Sequence, residues 1–308
     1  MTRFVVYTPL YRENSGGIIV LHKLASLLKA MGYDVKIWPQ QKPSLSELAD
    51  ISGWKKAVRW CQLKALNLLG RKDIRSPYQL RVAGNKDIKN SIVLYPEIVS
   101  GNPLRSRYVV RWLLNKPGAI NGTFHFGEND LFFYYQEKFN DWTLNPNKNN
   151  RLTVTELMSE TYVNVNEGIR GGQCYMVRKG KNHSLDYHDS SALKVDGIAH
   201  KELAKIFNKY KHFICYDPYT MYCRYAAMCG CIPVVVPESG VTKEEWRPEI
   251  YNRYGIAYGW DDVPWALETR PQLIEFLSES ERRNEELVRN FVASVEKRFA
   301  GQVNLCSE

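Results

Sequence analysis

No apolar run in the 308 residues reaches the roughly 20 needed for a membrane-spanning helix. That excludes an integral helical membrane protein. No charged-then-apolar leader opens the chain either. Met1-Thr-Arg-Phe-Val-Val-Tyr-Thr8 leads straight into a β-branched and aromatic run, so no secretory signal is expected. Cysteine is sparse: seven residues, scattered and mostly set among apolar helix or strand patterns. Cys229 and Cys231 span a helix end and a strand start, with no second ligand pair to complete a zinc site. Core thiols of a reduced, cytoplasmic protein are therefore expected, without disulfides and without a metal. Internal repeats and low-complexity segments are also absent. Acid is outnumbered by base, 33 Asp and Glu against 42 Lys and Arg, giving a formal net charge of +9. An acidic partner follows: a phosphorylated ligand, nucleic acid or an anionic membrane. No helix-turn-helix, zinc-finger or RNA-recognition signature accompanies the charge, so nucleic acid is not expected as a partner.

What is present is a globular composition, 44% hydrophobic and 24% charged. The most informative stretch is 213–237. An apolar run at 213–216 is followed by Asp217-Pro-Tyr-Thr220, then by a small-residue helix pattern to Cys229. Gly230 stops that helix, and 231–236 reads as a buried strand. The same unit opens the chain. Residues 4–8 read as a strand, Gly16-Gly17 starts a helix with Val20, Leu24, Leu27, Leu28 and Met31 on one face, and 33–38 is the next strand. Between them the pattern predicts an amphipathic helix over 54–69, a strand over 92–95 and a helix over 104–114. Residues 131–139 fit a strand or a short helix. Strands are predicted over 152–157 and 173–177, a helix over 200–210, a strand over 254–258 and C-terminal helices over 271–299. Asn145-Pro-Asn-Lys-Asn-Asn150 reads as a linker. The expected fold is α/β: two Rossmann-like, doubly wound domains facing a cleft, residues 1–145 and 146–270. Residues 271–308 are expected to form C-terminal helices.

Two stretches resemble the GT-B glycosyltransferases, in particular the group that includes glycogen synthases and many surface-polysaccharide enzymes. One is Ser15-Gly-Gly-Ile-Ile-Val-Leu-His-Lys-Leu-Ala25 with Met31-Gly-Tyr-Asp-Val35. The other runs from His200-Lys-Glu-Leu-Ala204 to Ala227-Met-Cys-Gly-Cys-Ile-Pro-Val-Val235. The middle of the chain, 39–139, matches weakly. The resemblance implies a nucleotide-sugar donor, UDP- or GDP-linked, held by the C-terminal domain, and an acceptor on the N-terminal side. It also implies that the C-terminal helices of 271–308 pack back on the first domain. It implies no cofactor and no divalent metal, in keeping with the missing Asp-x-Asp motif. The family also carries two acids eight positions apart. Asp217 fits the first, but the second falls on Tyr225, where the family uses a carboxylate for the donor ribose.

The candidate site residues follow from their chemistry. Gly16 and Gly17 would let backbone N–H groups approach a phosphate or a sugar; a plain turn into a helix needs them no less. Arg178, Lys179 and Lys181 follow a strand and could neutralise a diphosphate, or simply form a basic surface turn. Asp217, Tyr219 and Thr220 could hydrogen-bond the donor, or be an Asp-Pro turn with a capping threonine. Tyr225 is either core or a substitute for the missing carboxylate. Of the acids and bases in the strand-end loops, His125 is the catalytic candidate or else a satisfied loop histidine. Glu13 is expected to contact acceptor or donor, and Glu128 and Asp130 lie near His125 in sequence. The span from Trp54 to Arg81 is basic and carries Trp54 and Trp60; it suits an anionic membrane surface or a merely solvated face. The function expected is transfer of a sugar to a hydroxyl of a surface-polysaccharide or lipid-linked glycan, peripherally at the inner membrane face. The alternatives are an epimerase or hydrolase of the same fold, or a non-catalytic nucleotide-sugar-binding protein.

Overall fold

A computed structural model describes residues 2–71, 74, 76–180 and 185–303. The chain forms two units. Unit 1 is Met1–Glu156 with Arg282–Glu308, and unit 2 is Leu157–Glu281.

Among the described residues unit 1 has six strands: β1 (Arg3–Thr8), β2 (Asp34–Pro39), β3 (Arg81–Val82), β4 (Ile92–Pro96), β5 (Tyr108–Leu113) and β6 (Leu131–Tyr134). All pair in parallel, in the order β3-β2-β1-β4-β5-β6. This is the Rossmann order, whose direction of winding reverses between β1 and β4. Its helices are α1 (Gly16–Ala30), α2 (Ile51–Leu68) and α3 (Asn85–Ile88). Unit 2 has β7 (Gly171–Met176), β8 (Leu193–Lys194), β9 (Tyr210–Cys215), β10 (Ile232–Val235) and β11 (Ala257–Tyr258). These too are parallel, ordered β11-β10-β9-β7-β8, with the reversal between β7 and β9. Its helices are α4 (His200–Lys209), α5 (Tyr222–Met228), α6 (Lys243–Trp246), α7 (Val263–Glu268) and α8 (Arg270–Arg282). The last helix, α9 (Asn284–Val303), belongs to unit 1. Both units are thus Rossmann-like α/β folds.

Several elements differ from their sequence reading. The stretch 104–114 contains a strand, β5, and no helix. Every residue of Tyr108-Val-Val-Arg-Trp-Leu113 is buried. A central parallel strand is covered on both faces, so its apolar run lacks alternation and reads as readily as a buried helix. Residues 145–150 are not a bare linker. Asn140, Asn145 and Asn150 are buried and bonded together: Asn145 Nδ2 donates to Asn140 Oδ1 at 3.0 Å, and Asn150 Nδ2 to Phe132 O at 2.9 Å. The polar composition that suggested solvent instead satisfies backbone inside unit 1. Residues 152–157 form no strand; β6 is met at a single bridge, Tyr134 to Arg151. The two C-terminal helices also part company. In α8, Leu273 and Leu277 pack on Leu157 and Ala227 of unit 2. Only α9 joins unit 1, where Phe291 lies 4.8 Å from the Phe133 ring and Phe299 lies 5.3 Å from that of Tyr108. Burial of each such side chain stabilises by about 1.5–3 kcal/mol.

Candidate functional site

In unit 2, β7 and β9 are neighbours in register, Met176 opposite Cys215. Their carboxyl ends therefore bring Arg178 and Asp217 together across 39 positions of sequence, at the reversal point of the sheet. The turn after β7 is held tightly. Asp196 accepts the N–H of Val177 at 3.0 Å and of Arg178 at 2.7 Å, and Gly180 N donates to Val177 O at 2.7 Å. Gly180 must be glycine here, since an added Cβ would stand 1.9 Å from Tyr216 O. Arg178 itself has φ of +42°. A side chain in that left-handed region costs about 1 kcal/mol or more, and such strain concentrates at functional sites.

The strained turn sets the Arg178 guanidinium against the loop after β9. Its Nη1 donates to Thr220 Oγ1 at 3.2 Å, its Nε lies 3.9 Å from Asp217 Oδ2, and it sits 5.0 Å over the Tyr222 ring. Asp217 and Thr220 are buried, while the arginine remains partly open to solvent. Thr220 Oγ1 also receives Tyr222 N, at 3.4 Å, as α5 begins. From behind, Trp246 Nε1 and Arg247 Nη2 each donate to Pro218 O at 3.0 Å. Burial lowers the Arg247 pKa to about 10. Tyr219 is half exposed on this loop; burial first, then the nearby Glu238 charge, raises its phenol pKa. Lys179 is exposed beside Arg178, and Lys181 lies outside the described residues.

Tyr225 is not on this surface. It is only 3% exposed, stacked flat on Tyr162 at 4.2 Å and edge-on to Tyr222. It supports the ring beneath Arg178 from inside the core, so the position expected to carry a ribose-binding acid is filled by packing.

In unit 1 the corresponding strand ends belong to β1 and β4. Helix α1 starts at Gly16 with no side-chain cap from Ser15 and no acid in its first turn. Its positive end suits an anion. Neither glycine is required by the backbone or by space. A Cβ at Gly16 would meet nothing within 4 Å, and one at Gly17 only Leu114 Cδ1, at 3.8 Å. Gly17→Val is therefore expected to change folding stability by no more than about 1 kcal/mol, valine being the better helix former. It is also expected to abolish turnover by covering the helix end. Assays of the folded variant decide this; unaltered turnover would leave Gly17 a plain helix start.

Sequence reasoning missed Glu97, which directly follows β4. It is 5% exposed, and its Oε2 accepts Leu114 N at 3.0 Å. Burial raises its carboxyl pKa to about 7, against the pull of backbone N–H groups at Leu114 and Asn115. Leu114 also faces Gly17, so Glu97 lies one residue behind the start of α1. The visible signal was an acid immediately after a central strand; its burial was not visible.

The other candidate acids and bases of unit 1 are placed differently. Asp130 is structural: it accepts from Nε of the wholly buried Arg111 at 2.7 Å. Arg111 also donates to Val99 O at 2.7 Å and to Gly101 O. His125 ties onto the same loop through its backbone, its N–H bonding Ser100 Oγ at 3.0 Å and its carbonyl taking Gly101 N at 2.7 Å. The His125, Glu128 and Glu13 side chains are exposed; burial first, then the Glu156 charge and last that of Glu13 raise the Tyr11 phenol pKa. Among the described residues no three His, Cys, Asp or Glu side chains gather as a metal site would need. No described helix is long and apolar enough to cross a membrane.

No family model matches the chain, and no curated protein matches it. Among solved structures, a protein of Listeria monocytogenes described as a UDP-N-acetylglucosamine 2-epimerase aligns over 97% of both chains, at 9% identity and a TM-score of 0.43. A likeness at that level says nothing about chemistry.

Proposed function

We propose that the chain is a glycosyltransferase, moving a sugar from a UDP- or GDP-linked donor to a hydroxyl of a surface-polysaccharide or lipid-linked glycan. One observation carries this reading: the Arg178 guanidinium, set on a strained turn beside Asp217 and Thr220 at the reversal point of the unit 2 sheet. Open parallel sheets bind ligands at such points. A guanidinium there suits a diphosphate in bidentate fashion.

In this reading unit 2 takes the donor. As the bond between the sugar carbon and the diphosphate breaks, the leaving nucleoside diphosphate gains negative charge. Arg178 and the neighbouring Lys179 take up that charge, already in place before it develops. Asp217 and Thr220 orient the guanidinium and offer hydrogen bonds to donor hydroxyls. Unit 1 takes the acceptor. Glu97 accepts the proton that the acceptor hydroxyl loses as its oxygen bonds to the sugar carbon. A carboxyl titrating near 7 is suited to accept a proton at neutral pH. His125 and Glu13 then become contacts at the loop surface, with Gly16 and Gly17 admitting an anionic or sugar group to the start of α1. No metal and no cofactor is called for, and the work is placed in the cytoplasm at the inner membrane face.

Glu97 also favours a second reading. The same carboxyl could activate water, giving an enzyme that acts on the nucleotide sugar itself, such as a hydrolysing epimerase. Incubating the protein with a panel of nucleotide sugars, with and without glycan acceptors, separates the readings by product analysis. Release of nucleoside diphosphate that requires acceptor supports transfer. Release or epimerisation without acceptor supports the second reading. Binding with no turnover would leave a non-catalytic binding protein.

A further inference from the structure

Helix α2 leaves an apolar face uncovered. It buries only Gly53, Trp60 and Leu63. The approach is close at Gly53, where a Cβ would lie 1.8 Å from Glu47 O. On the opposite side Ile51, Trp54, Val58, Leu68 and Leu69 are each more than half exposed, from 56% for Val58 to 86% for Leu68. At 100° per residue these five fall on one stripe, and the exposed Cys61 and Ala65 fill the gap between Val58 and Leu68. Five turns of helix thus present an unbroken apolar strip to solvent.

Charge identifies the partner. From Ile51 to Arg71 the sequence has five cations, Lys55, Lys56, Arg59, Lys64 and Arg71, and no acid. Lys56 is committed to Glu47 at 2.6 Å. Lys55 and Arg59 flank one side of the stripe and Lys64 the other, while Arg71 follows the end of the helix. A second copy of the chain is a poor occupant, because two such faces would crowd like charges together. A soluble anion would leave the strip uncovered. An anionic bilayer satisfies both features: the strip enters the boundary between headgroups and acyl chains, and the cations meet the headgroup phosphates.

We propose that α2 is an interfacial helix that seats unit 1 on an anionic membrane, with Trp54 and Val58 at the centre of the inserted strip. This deepens the transferase reading by naming where a lipid-carried acceptor is met. Its test is independent of turnover. The full chain is sedimented with phosphatidylcholine vesicles with and without phosphatidylglycerol, at low and high salt. Binding to the anionic vesicles is expected to be at least about tenfold stronger and to weaken with salt. The Trp54→Ser, Val58→Ser double variant is expected to lose this binding tenfold or more, with unaltered thermal unfolding and unaltered nucleotide binding by calorimetry. Equal sedimentation of variant and wild type, equal binding to neutral vesicles, or no binding at all would overturn the proposal. So would a wild-type dimer in ultracentrifugation that the double variant abolishes. A protein that binds vesicles but no nucleotide would instead overturn the transferase reading and leave α2 standing.

Discussion

Glu97→Gln is expected to make the protein more stable at pH 8 and nearly inactive. An ordinary glutamate titrates near 4.5, while Glu97 in the folded chain is raised to about 7, with burial the main cause. Below pH 4.5 the carboxyl is protonated in both states and its burial carries no charge penalty. Between pH 4.5 and 7 the unfolded chain gives up its proton first, so stability falls as pH rises. The loss is complete above about 7. That gap corresponds to up to about 3 kcal/mol. Glutamine fills the same space, can still accept the Leu114 N–H, and does not titrate. Urea unfolding should therefore show the variant more stable than wild type at pH 8, by up to about 3 kcal/mol, and equal to it near pH 4. Turnover should fall by about 100-fold to 10,000-fold, the usual worth of a general base. Parallel stability profiles would contradict the buried carboxyl, and retained turnover would contradict its role.

The second large effect is expected at Arg178, where glycine is more telling than alanine. Its φ of +42° suits glycine, so Arg178→Gly relieves about 1 kcal/mol of backbone strain while removing the guanidinium. Folding stability should hold or rise. Affinity for the nucleoside diphosphate should drop about tenfold to a hundredfold, the worth of a charge-assisted hydrogen bond of about 1.5–3 kcal/mol. A merely structural arginine, kept for its contacts to Thr220 and Asp217, would show a loss of stability and no change in affinity.

Much of this architecture could be read from local pattern. The unit at 213–236 was legible because an apolar strand, a small-residue helix and a glycine stop follow in order. Gly230 has φ of +86°, as a helix-ending glycine should. What escaped depends on contacts distant in sequence. β5 passed for a helix because burial on both faces removes the alternation that marks a strand. Arg111 in its centre looks like a surface residue until three acceptors from two loops close around it. The asparagines at 145–150 looked solvated because composition does not show which backbone groups they will satisfy. The Arg178 and Asp217 pairing requires β7 and β9 to be neighbours, and sequence order does not give strand order. Glu97 stayed hidden because its burial in the folded chain, which raises its pKa against the pull of the Leu114 and Asn115 N–H groups, leaves no mark in local sequence.

Isothermal titration of wild-type protein with UDP, GDP and their monophosphates tests the donor site most directly. One nucleoside diphosphate should bind, its monophosphate at least about tenfold more weakly, since the second phosphate is the group given to Arg178. Equal affinity for mono- and diphosphate, or no heat from any nucleotide, would contradict a donor site at the ends of β7 and β9.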